Sequence, residues 1–328
     1  MARLYRGGRI SQMLMEKEKT DEVLSVVDRT DWYVPREDLL TPQSIDLFHL
    51  SFFDRSTQDF LDSSFAVSNS ICLQTWYALA STFLSLFVSK TSSNGLLNRG
   101  GMFIFSTQQL REFLHLPVEW DRRGKRLLDL GAGDGGVTAR AGDLFEHIHA
   151  TEMSSIMQWR LRERGFSVLE VDDWNRQQSN QQFDLITVLN LLDRHYNPSV
   201  LLSQLHEVSS RNGCLVMMAI VLPIRQYVEF HPNGSTTRPD SWIAVEGKTF
   251  EEQVSSLIAK TFEPAGFEVI RWTRLPYLCE GDFKKPYYLL NDAVFLLRPL
   301  ASNQSTAPST FPSSAQSPPQ DTQIRIDL

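Results

Sequence analysis

The chain has 328 residues, of which 42% are hydrophobic and 22% charged, so a packed globular core is expected, as one large domain with appendages or two modest domains. Its formal net charge of −7 argues against a general nucleic-acid binder, which normally carries a basic face. The cysteines, Cys72, Cys214 and Cys279, form no C-x-x-C pair, so neither a disulfide framework nor a metal site is predicted.

The N-terminal part of the chain lacks a regular alternation of elements. Residues 1–40 are mixed and charged without a long apolar period, which predicts an irregular or weakly helical segment. Residues 41–122 contain an apolar, aromatic block and are expected to form a helical cap. The uncharged stretch 71–88 has about the length of a membrane span, but its polar residues favour a buried helix. We therefore expect no stable membrane insertion.

Strands and helices alternate over residues 123–300, which predicts a doubly wound α/β domain. The continuously apolar run 214–223 is typical of a strand covered on both faces. Near the end, two strands separated by a long loop containing Gly281 and Asp282 predict an antiparallel hairpin that closes a seven-stranded sheet. The tail 301–328 is rich in Ser, Pro, Thr and Gln and is predicted to be disordered.

A glycine-rich loop follows the first strand of this domain. Residues 126–136, RLLDLGAGDGG, contain the pattern G-x-G-x-x-G at Gly131, Gly133 and Gly136, and Glu152 stands at the end of the next strand. Bare backbone at a strand end lets a ligand approach closely, and a carboxylate at Glu152 would accept hydrogen bonds from ribose hydroxyls. This predicts an adenosine-containing cofactor: a nicotinamide dinucleotide, a flavin or S-adenosylmethionine.

Two features favour S-adenosylmethionine among these cofactors. Asp129 and Asp134 crowd the loop with negative charge, which disfavours a pyrophosphate but suits a sulfonium and an ammonium group. The antiparallel hairpin is uncommon in dinucleotide-binding folds. We expect Asp129 either to orient the glycine loop or to reach the ammonium group of the cofactor, and the alternative is a purely structural role.

Several blocks of the sequence resemble the DREV family of protein-histidine methyltransferases, within the class I methyltransferases. They are TSSNGLLNRGGMFIFS (91–106), RLLDLGAGDGG (126–136), HATEMS (149–154), LNLLDR (189–194), RLPYLCEGD (274–282) and YYLLNDAVFLLRP (287–299). The resemblance runs from about residue 45 to 300 and implies a Rossmann-like class I methyltransferase fold with S-adenosylmethionine as the cofactor. It further implies methyl transfer to the pros (Nδ1) nitrogen of histidine in His-x-His motifs of target proteins.

The resemblance also implies which residues contact the cofactor. The positions that match the family's cofactor contacts are Glu152, Asn190 and Tyr277, together with the loop glycines Gly131 and Gly133. Asn190 has an amide that can both donate and accept a hydrogen bond. It could bridge the amino-acid part of the cofactor and an incoming imidazole. The plainer alternatives are a turn role for Asn190, a solvated charge at Glu152 and packing for Tyr277.

Asp193 and Tyr288 fall where the family contacts the substrate histidine. Imidazole is largely neutral at pH 7, so no strong general base is needed. A carboxylate at Asp193 that accepts the N–H of the tele (Nε2) nitrogen would leave the lone pair on the pros nitrogen. The alternatives are a salt bridge of Asp193 with Arg194 or a helix cap, and packing for Tyr288.

The chain departs from the family in two places. The family pattern near Tyr288 often ends in two acids, where this chain has Asn291 and Asp292. Some members associate with the endoplasmic reticulum or mitochondria, and their N-terminal membrane-type segment has no counterpart here, so we expect a cytoplasmic location. The sequence does not give the oligomeric state, and a monomer is the default expectation. Two other functions stay open: a methyltransferase of another substrate class, and a non-catalytic scaffold, against which the intact glycine loop and the Asn190–Asp193 pair argue.

Overall fold

The computed structural model describes residues 9–84, 97, 99–176, 182–234 and 236–301, so the tail predicted to be disordered lies outside the described residues from 302 onward. The helices are α1 (Arg9–Ser25), α2 (Pro42–Asp46), α3 (Arg55–Asn69), α4 (Ile71–Leu84), α5 (Thr107–Phe113), α6 (Ser155–Glu163), α7 (Pro198–Asn212) and α8 (Phe250–Leu257). The strands are β1 (Met102–Phe103), β2 (Arg126–Leu130), β3 (His147–Thr151), β4 (Ser167–Leu169), β5 (Leu185–Leu189), β6 (Leu215–Val221), β7 (Phe267–Glu280) and β8 (Tyr287–Pro299).

Within the described residues these strands form one sheet in the order β1-β7-β8-β6-β5-β2-β3-β4. The five strands β4, β3, β2, β5 and β6 are parallel, and β8, β7 and β1 run antiparallel to their neighbours. The predicted α/β fold, with N-terminal helices and an antiparallel C-terminal hairpin, is confirmed. The strand number is eight instead of the predicted seven, because the two-residue strand β1 is too short to leave a pattern in the sequence.

The C-terminal hairpin is longer than the sequence predicts. β7 has 14 residues and β8 has 13, and the two strands pair from one end to the other. The connection between them is therefore only residues 281–286, and the prediction of a long loop around Gly281 and Asp282 was wrong. The polar and aromatic residues near the turn continue the backbone pairing between β7 and β8, because that pairing does not require an apolar side chain at every position.

Two apolar cores cover the two faces of the sheet. Helices α7 and α8 pack on one face, against Trp272 and Phe295 among others. Residues of α3 and α5, with Trp32 and Tyr33, pack on the other face. Side chains of β6 contribute alternately to both cores, which confirms the prediction that residues 214–223 contain a strand covered on both sides.

The outer edge of β7 is bordered by backbone from the first hundred residues. The N–H of Trp272 donates to the carbonyl of Leu47 at 2.9 Å, and the N–H of His49 donates to the carbonyl of Trp272 at 2.8 Å. Further along, the N–H of Glu280 donates to the carbonyl of Gly101 at 2.8 Å, next to β1. The range predicted as a helical cap thus also supplies backbone to the sheet.

Helix α1 lies in the segment predicted to be irregular or weakly helical. It carries no strong apolar face, but a long-range contact holds it. The ammonium group of Lys17 is buried, donating to Asp21 within the helix and to the hydroxyl of Ser68 in α3, both at 2.9 Å. Tertiary contact of this kind stabilises a helix that local periodicity does not reveal.

Helix α4 is exposed, although the sequence predicts a buried helix there. Among its described side chains, 71–82, only Gln74 is buried. Ile71 is 59%, Trp76 61% and Leu79 65% exposed. The sequence favoured burial because an uncharged helix that is apolar all round is normally buried. The exposure of α4 depends on which elements lie beside it, and hydropathy does not describe them. None of the helices in the described ranges has the length and apolar character needed to cross a membrane.

Candidate active site

The candidate site residues collect at the carboxyl ends of the central parallel strands. β2 lies between β3 and β5, and the loops that leave these strands meet at one edge of the sheet. The chain order reverses between β2 and β5, which is the place where ligands bind in open α/β sheets. Glycines 131 and 133, Glu152 and Asn190 all follow the last residues of these strands.

The glycine loop has a backbone conformation that needs glycine. Gly131 and Gly133 have φ values of +73° and +57°, in the left-handed region that other residues rarely adopt. A Cβ atom on Gly131 would also lie 3.1 Å from the side chain of Leu191. The N–H of Gly131 donates to the carbonyl of Thr151 at 3.0 Å. The loop is therefore anchored to β3, and at Gly131 it packs too closely against Leu191 to accept a side chain.

Glu152 links the glycine loop to the start of α6. Its Oε2 accepts the N–H of Gly133 at 3.0 Å and its Oε1 accepts the N–H of Ser154 at 2.9 Å. Burial raises the pKa of this carboxyl, and the two backbone hydrogen bonds oppose that rise. The side chain is only partly buried, and each oxygen keeps a second lone pair. Glu152 can therefore still accept hydrogen bonds from the hydroxyls of a ribose.

Asp129 lies on β2, the strand that precedes the loop, and is buried, with a hydrogen bond to each carboxylate oxygen. One carboxylate oxygen accepts the hydroxyl of Thr187 at 2.7 Å and the other accepts the hydroxyl of Thr138. Burial raises the pKa of Asp129 to about 6, against the effect of these hydrogen bonds. The contacts join β2 and β5 to the turn that follows the glycines. They are compatible with the orienting role and with the purely structural one, and contact of Asp129 with a cofactor stays a prediction.

Asn190 follows β5 in a left-handed conformation with φ +54°, and its N–H donates to the carbonyl of Ala219 at 2.9 Å. Its Nδ2 donates to Oδ2 of Asp292 at 2.9 Å. Asp292 is completely buried, and its pKa is raised to about 8 by burial and by repulsion from Asp193, against the hydrogen bond from Asn190. The sequence reasoning missed Asp292 as a site residue. The available signal was the acid pair of the family pattern, of which this chain keeps the second member.

Asp193 is also buried, in the loop between β5 and α7. Its Oδ2 lies 3.2 Å from Nε of Arg194, so the salt bridge weighed as an alternative role is present. Burial raises the pKa of Asp193 to about 6, and the positive charge of Arg194 opposes the rise. The guanidinium group lies 3.9 Å from the ring centroid of Tyr227, which fixes its position. The salt bridge occupies only one of the two carboxylate oxygens.

Three buried oxygens at this point have no hydrogen-bond partner among the described residues: Oδ1 of Asn190, Oδ1 of Asp193 and Oδ1 of Asp292. A buried acceptor left without a donor costs about 1–3 kcal/mol. Asn190 contacts Asp292 directly, and the two acids are close enough to repel each other. The three oxygens therefore form a buried acceptor region that suits a ligand with N–H donors, and Nη1 of Arg194, beside Asp193, is a buried donor that also lacks a partner among the described residues.

Tyr277 connects this region to the glycine loop. Its hydroxyl donates to Sδ of Met102 at 2.7 Å, and Cε of Met102 lies 3.8 Å from the position that a Cβ on Gly133 would occupy. Burial raises the pKa of Tyr277 far above its usual value, and the nearby Cys279 and Asp292 add to the effect. The phenol is therefore neutral and lies beside the predicted cofactor region.

Tyr288 lies on β8 next to the hairpin turn, where it pairs with Cys279. Its hydroxyl donates to Oδ2 of Asp282 at 3.2 Å, in the turn between β7 and β8. Burial and the negative charge of Asp282 raise the pKa of Tyr288. Asn190 thus contacts Asp292, and the charges of Asp193 and Asp292 act on Asp292 and Tyr277 respectively, whereas the hydroxyl of Tyr288 is directed toward the turn. Its contact with a substrate histidine stays a prediction.

Comparison with known proteins identifies the family. Similar solved structures include a candidate RNA methyltransferase from Pyrococcus horikoshii, with 16% identity, a TM-score of 0.38, and coverage of 69% of this chain and 98% of the other. An S-adenosylmethionine-dependent methyltransferase from Clostridium acetobutylicum has 14% identity, a TM-score of 0.35, and coverage of 70% and 100%. Both likenesses are distant. A sequence profile described as DREV methyltransferase matches residues 32–299, a range that includes every strand and every candidate site residue. The chain therefore belongs to the DREV methyltransferase family.

Proposed function

We propose that this protein transfers a methyl group from S-adenosylmethionine to the pros nitrogen of histidine in His-x-His motifs of other proteins. The observation that carries the proposal is the set of buried, unpartnered oxygens of Asn190, Asp193 and Asp292. A neutral imidazole has one N–H donor and one lone pair. Acceptors can hold its N–H and leave the lone pair free, which is the arrangement that the transfer needs.

The residues around the glycine loop fit the cofactor. Glu152 would hold the ribose hydroxyls, and the left-handed turns at Gly131 and Gly133 keep the glycine loop beside it at the carboxyl edge of the sheet. Tyr277 presents a neutral phenol, and the acceptor oxygens nearby suit an ammonium group. When bound, S-adenosylmethionine supplies a methyl group activated by a positively charged sulfur.

Asp193 selects the nitrogen that reacts. Its free Oδ1 accepts the N–H of the tele nitrogen, while Arg194 holds Oδ2 and so fixes the direction of the carboxylate. The lone pair of the pros nitrogen would then form the new bond to the methyl carbon as the bond from that carbon to sulfur breaks, which leaves S-adenosylhomocysteine. As it does so, the ring becomes cationic, and the buried carboxylate stabilises that charge. The excess proton leaves from the tele nitrogen to Asp193, whose pKa of about 6 keeps it ionised at neutral pH.

The proposal is tested with labelled cofactor and a peptide that contains Ala-His-Ala-His. We expect one labelled methyl group on histidine, assigned to the pros nitrogen by mass spectrometry and by chromatography of the hydrolysed amino acid. A peptide in which glutamine replaces both histidines serves as the control. Label on the tele nitrogen, on another side chain or on no residue of the peptide would contradict the proposal.

Cofactor binding is tested separately at Glu152. We expect Glu152→Ala to weaken the affinity for S-adenosylhomocysteine by about 10- to 100-fold, because hydrogen bonds to a charged group contribute about 1.5–3 kcal/mol. Isothermal titration calorimetry measures this affinity without any turnover. Glu163→Ala, at the exposed end of α6, is the matched control and should bind as the unmodified protein does. Equal affinities for both variants would remove Glu152 from the cofactor site.

A further inference from the structure

Asp292 lies beside Asn190 in the buried acceptor region, and it is not one of the residues that hold the reacting groups in the proposed transfer. It lies on β8 opposite Val221 of β6, and its side chain is completely buried. Within the described part of the chain it makes no salt bridge, and its polar partner is the Nδ2 group of Asn190 at 2.9 Å. Burying an ionised acid without a neighbouring cation costs free energy. The hydrogen bond from Asn190 offsets part of that cost, because it favours the ionised form of Asp292.

That contact determines which end of the Asn190 amide faces the ligands. An asparagine amide presents an acceptor oxygen at one end and an NH2 donor at the other. The backbone of Asn190 is fixed by φ +54° and by its hydrogen bond to Ala219. A carboxylate accepts but cannot donate, so it selects the orientation in which NH2 points at Asp292. The amide oxygen is then turned to the opposite side, where it is buried without a partner.

We infer that Asp292 is a positioning residue, which fixes the amide of Asn190 so that its oxygen, and not its NH2 group, faces the bound ligands. An oxygen in that place can accept from the ammonium group of the cofactor or from the N–H of the methyl acceptor. An NH2 group in that place would be a donor facing the ammonium group or the N–H of the methyl acceptor, which are donors too, so no hydrogen bond could form. The identity of those ligands rests on the proposed function, whereas the orientation of the amide does not.

The orientation of the Asn190 amide should depend on pH. Burial and the charge of Asp193 raise the pKa of Asp292 to about 8, so in the free protein this carboxyl is mostly protonated at pH 7 and mostly ionised only above pH 8. A protonated carboxyl can also donate, which weakens its selection of one amide orientation. The other titratable groups near Asp292 are Arg194, beside Asp193, and Tyr277 and Cys279 on β7. The orientation should therefore become more uniform as the pH rises through about 8.

Two single variants and their combination test the inference. Asp292→Asn keeps the size of the side chain but offers Asn190 both a donor and an acceptor, so the amide can take either orientation. Asn190→Asp sets two acids against each other. The double exchange, Asn190→Asp with Asp292→Asn, restores one carboxyl and one amide. The new amide donates to the new carboxylate, which again turns an oxygen toward the ligands, and the net charge is unchanged.

The first readout is the affinity of the His-x-His peptide for the protein saturated with S-adenosylhomocysteine, together with methyl transfer to that peptide. Measured above pH 8, where Asp292 is mostly ionised, Asp292→Asn should lower transfer by about tenfold or more, since a charge-assisted hydrogen bond is lost. The double exchange should recover a large part of the loss. Thermal unfolding midpoints show whether each variant is folded. Asn291→Asp is the matched control at the neighbouring position. The guanidinium group of Arg274 donates to the side-chain oxygen of Asn291, and a carboxylate there would still accept that hydrogen bond.

The second readout needs no ligand. In protein labelled with [15N]asparagine, the side-chain signal of Asn190 is assigned by its loss in Asn190→Asp. It should titrate with a midpoint near pH 8 in the unmodified protein and should not titrate in Asp292→Asn. A signal that Asp292→Asn leaves unchanged would overturn the inference. So would a double exchange no more active than either single variant. Failure of the unmodified protein to methylate histidine would instead refute the proposed function, and the amide signal would still decide the role of Asp292.

Discussion

Asp193→Asn is expected to lower methyl transfer to a histidine peptide by at least about 100-fold, the size of effect that a positioned acid or base typically supplies. Arg194 is a donor, so it would draw the oxygen of the new amide and turn its NH2 group toward the imidazole. That group cannot accept the tele N–H, and it carries no charge to stabilise the cationic ring. The transfer rate at saturating peptide and cofactor measures the effect.

The same variant should bind S-adenosylhomocysteine within about threefold of the unmodified protein, because a difference of that size is below 1 kcal/mol and Asp193 is assigned to the acceptor. Asp143→Asn, at an exposed position, provides the control for replacing an acid by its amide. If Asp193→Asn lost cofactor affinity and transfer to the same degree, its assignment to the methyl acceptor would be wrong. If transfer were unchanged, the salt bridge with Arg194 would be its main role.

Trp272→Ala is expected to lower the free energy of unfolding by about 3–5 kcal/mol, the range for removing a buried large aromatic side chain. Trp272 is completely buried, and its indole N–H donates to the carbonyl of Ser44 at 2.7 Å. Its ring packs against Phe48 and Phe250 as well as Phe295 on β8. The variant would leave a cavity and an unpaired carbonyl together. Urea denaturation followed by circular dichroism measures the change.

A tryptophan at the surface supplies the comparison for this experiment. Trp242 is 49% exposed, and Trp242→Ala should change stability by less than about 1 kcal/mol. Trp272→Phe keeps most of the apolar volume but loses the indole donor, so it should fall between the two. If Trp272→Ala and Trp242→Ala lowered the free energy of unfolding by similar amounts, the contacts of Trp272, including those with Ser44 and Phe48, would contribute little to stability.

The features predicted correctly are those that a short stretch of chain specifies by itself. The apolar strand β6 and the glycines that follow β2 produce local patterns, since a strand buried on both faces is apolar throughout and a left-handed turn requires glycine. The strand β1 has only two residues and forms through pairing with β7, so it has no local pattern. The exposure of α4 also depends on its neighbours, which hydropathy does not describe.

The role of Asp292 could not be predicted from the residues around it. It lies 102 positions from Asn190 in sequence, and the two meet because β8 pairs with β6 in one particular register. A shift of one residue in that pairing would turn Asp292 to the other face of the sheet. Residues near the glycine loop follow a known spacing, whereas this contact depends on how the C-terminal hairpin joins the parallel strands.

The backbone that borders β7 also affects how the molecule behaves toward other copies of itself. A long strand at the edge of a sheet offers free N–H and C=O groups to which a second chain can add a strand, and this is a common route to aggregation. Along β7, some of these groups are already bonded to Leu47, His49 and Gly101, and β1 pairs with two further residues. Residues 47–49 and 101–103 therefore protect β7, the longest strand of the described sheet, against the addition of a strand from another molecule.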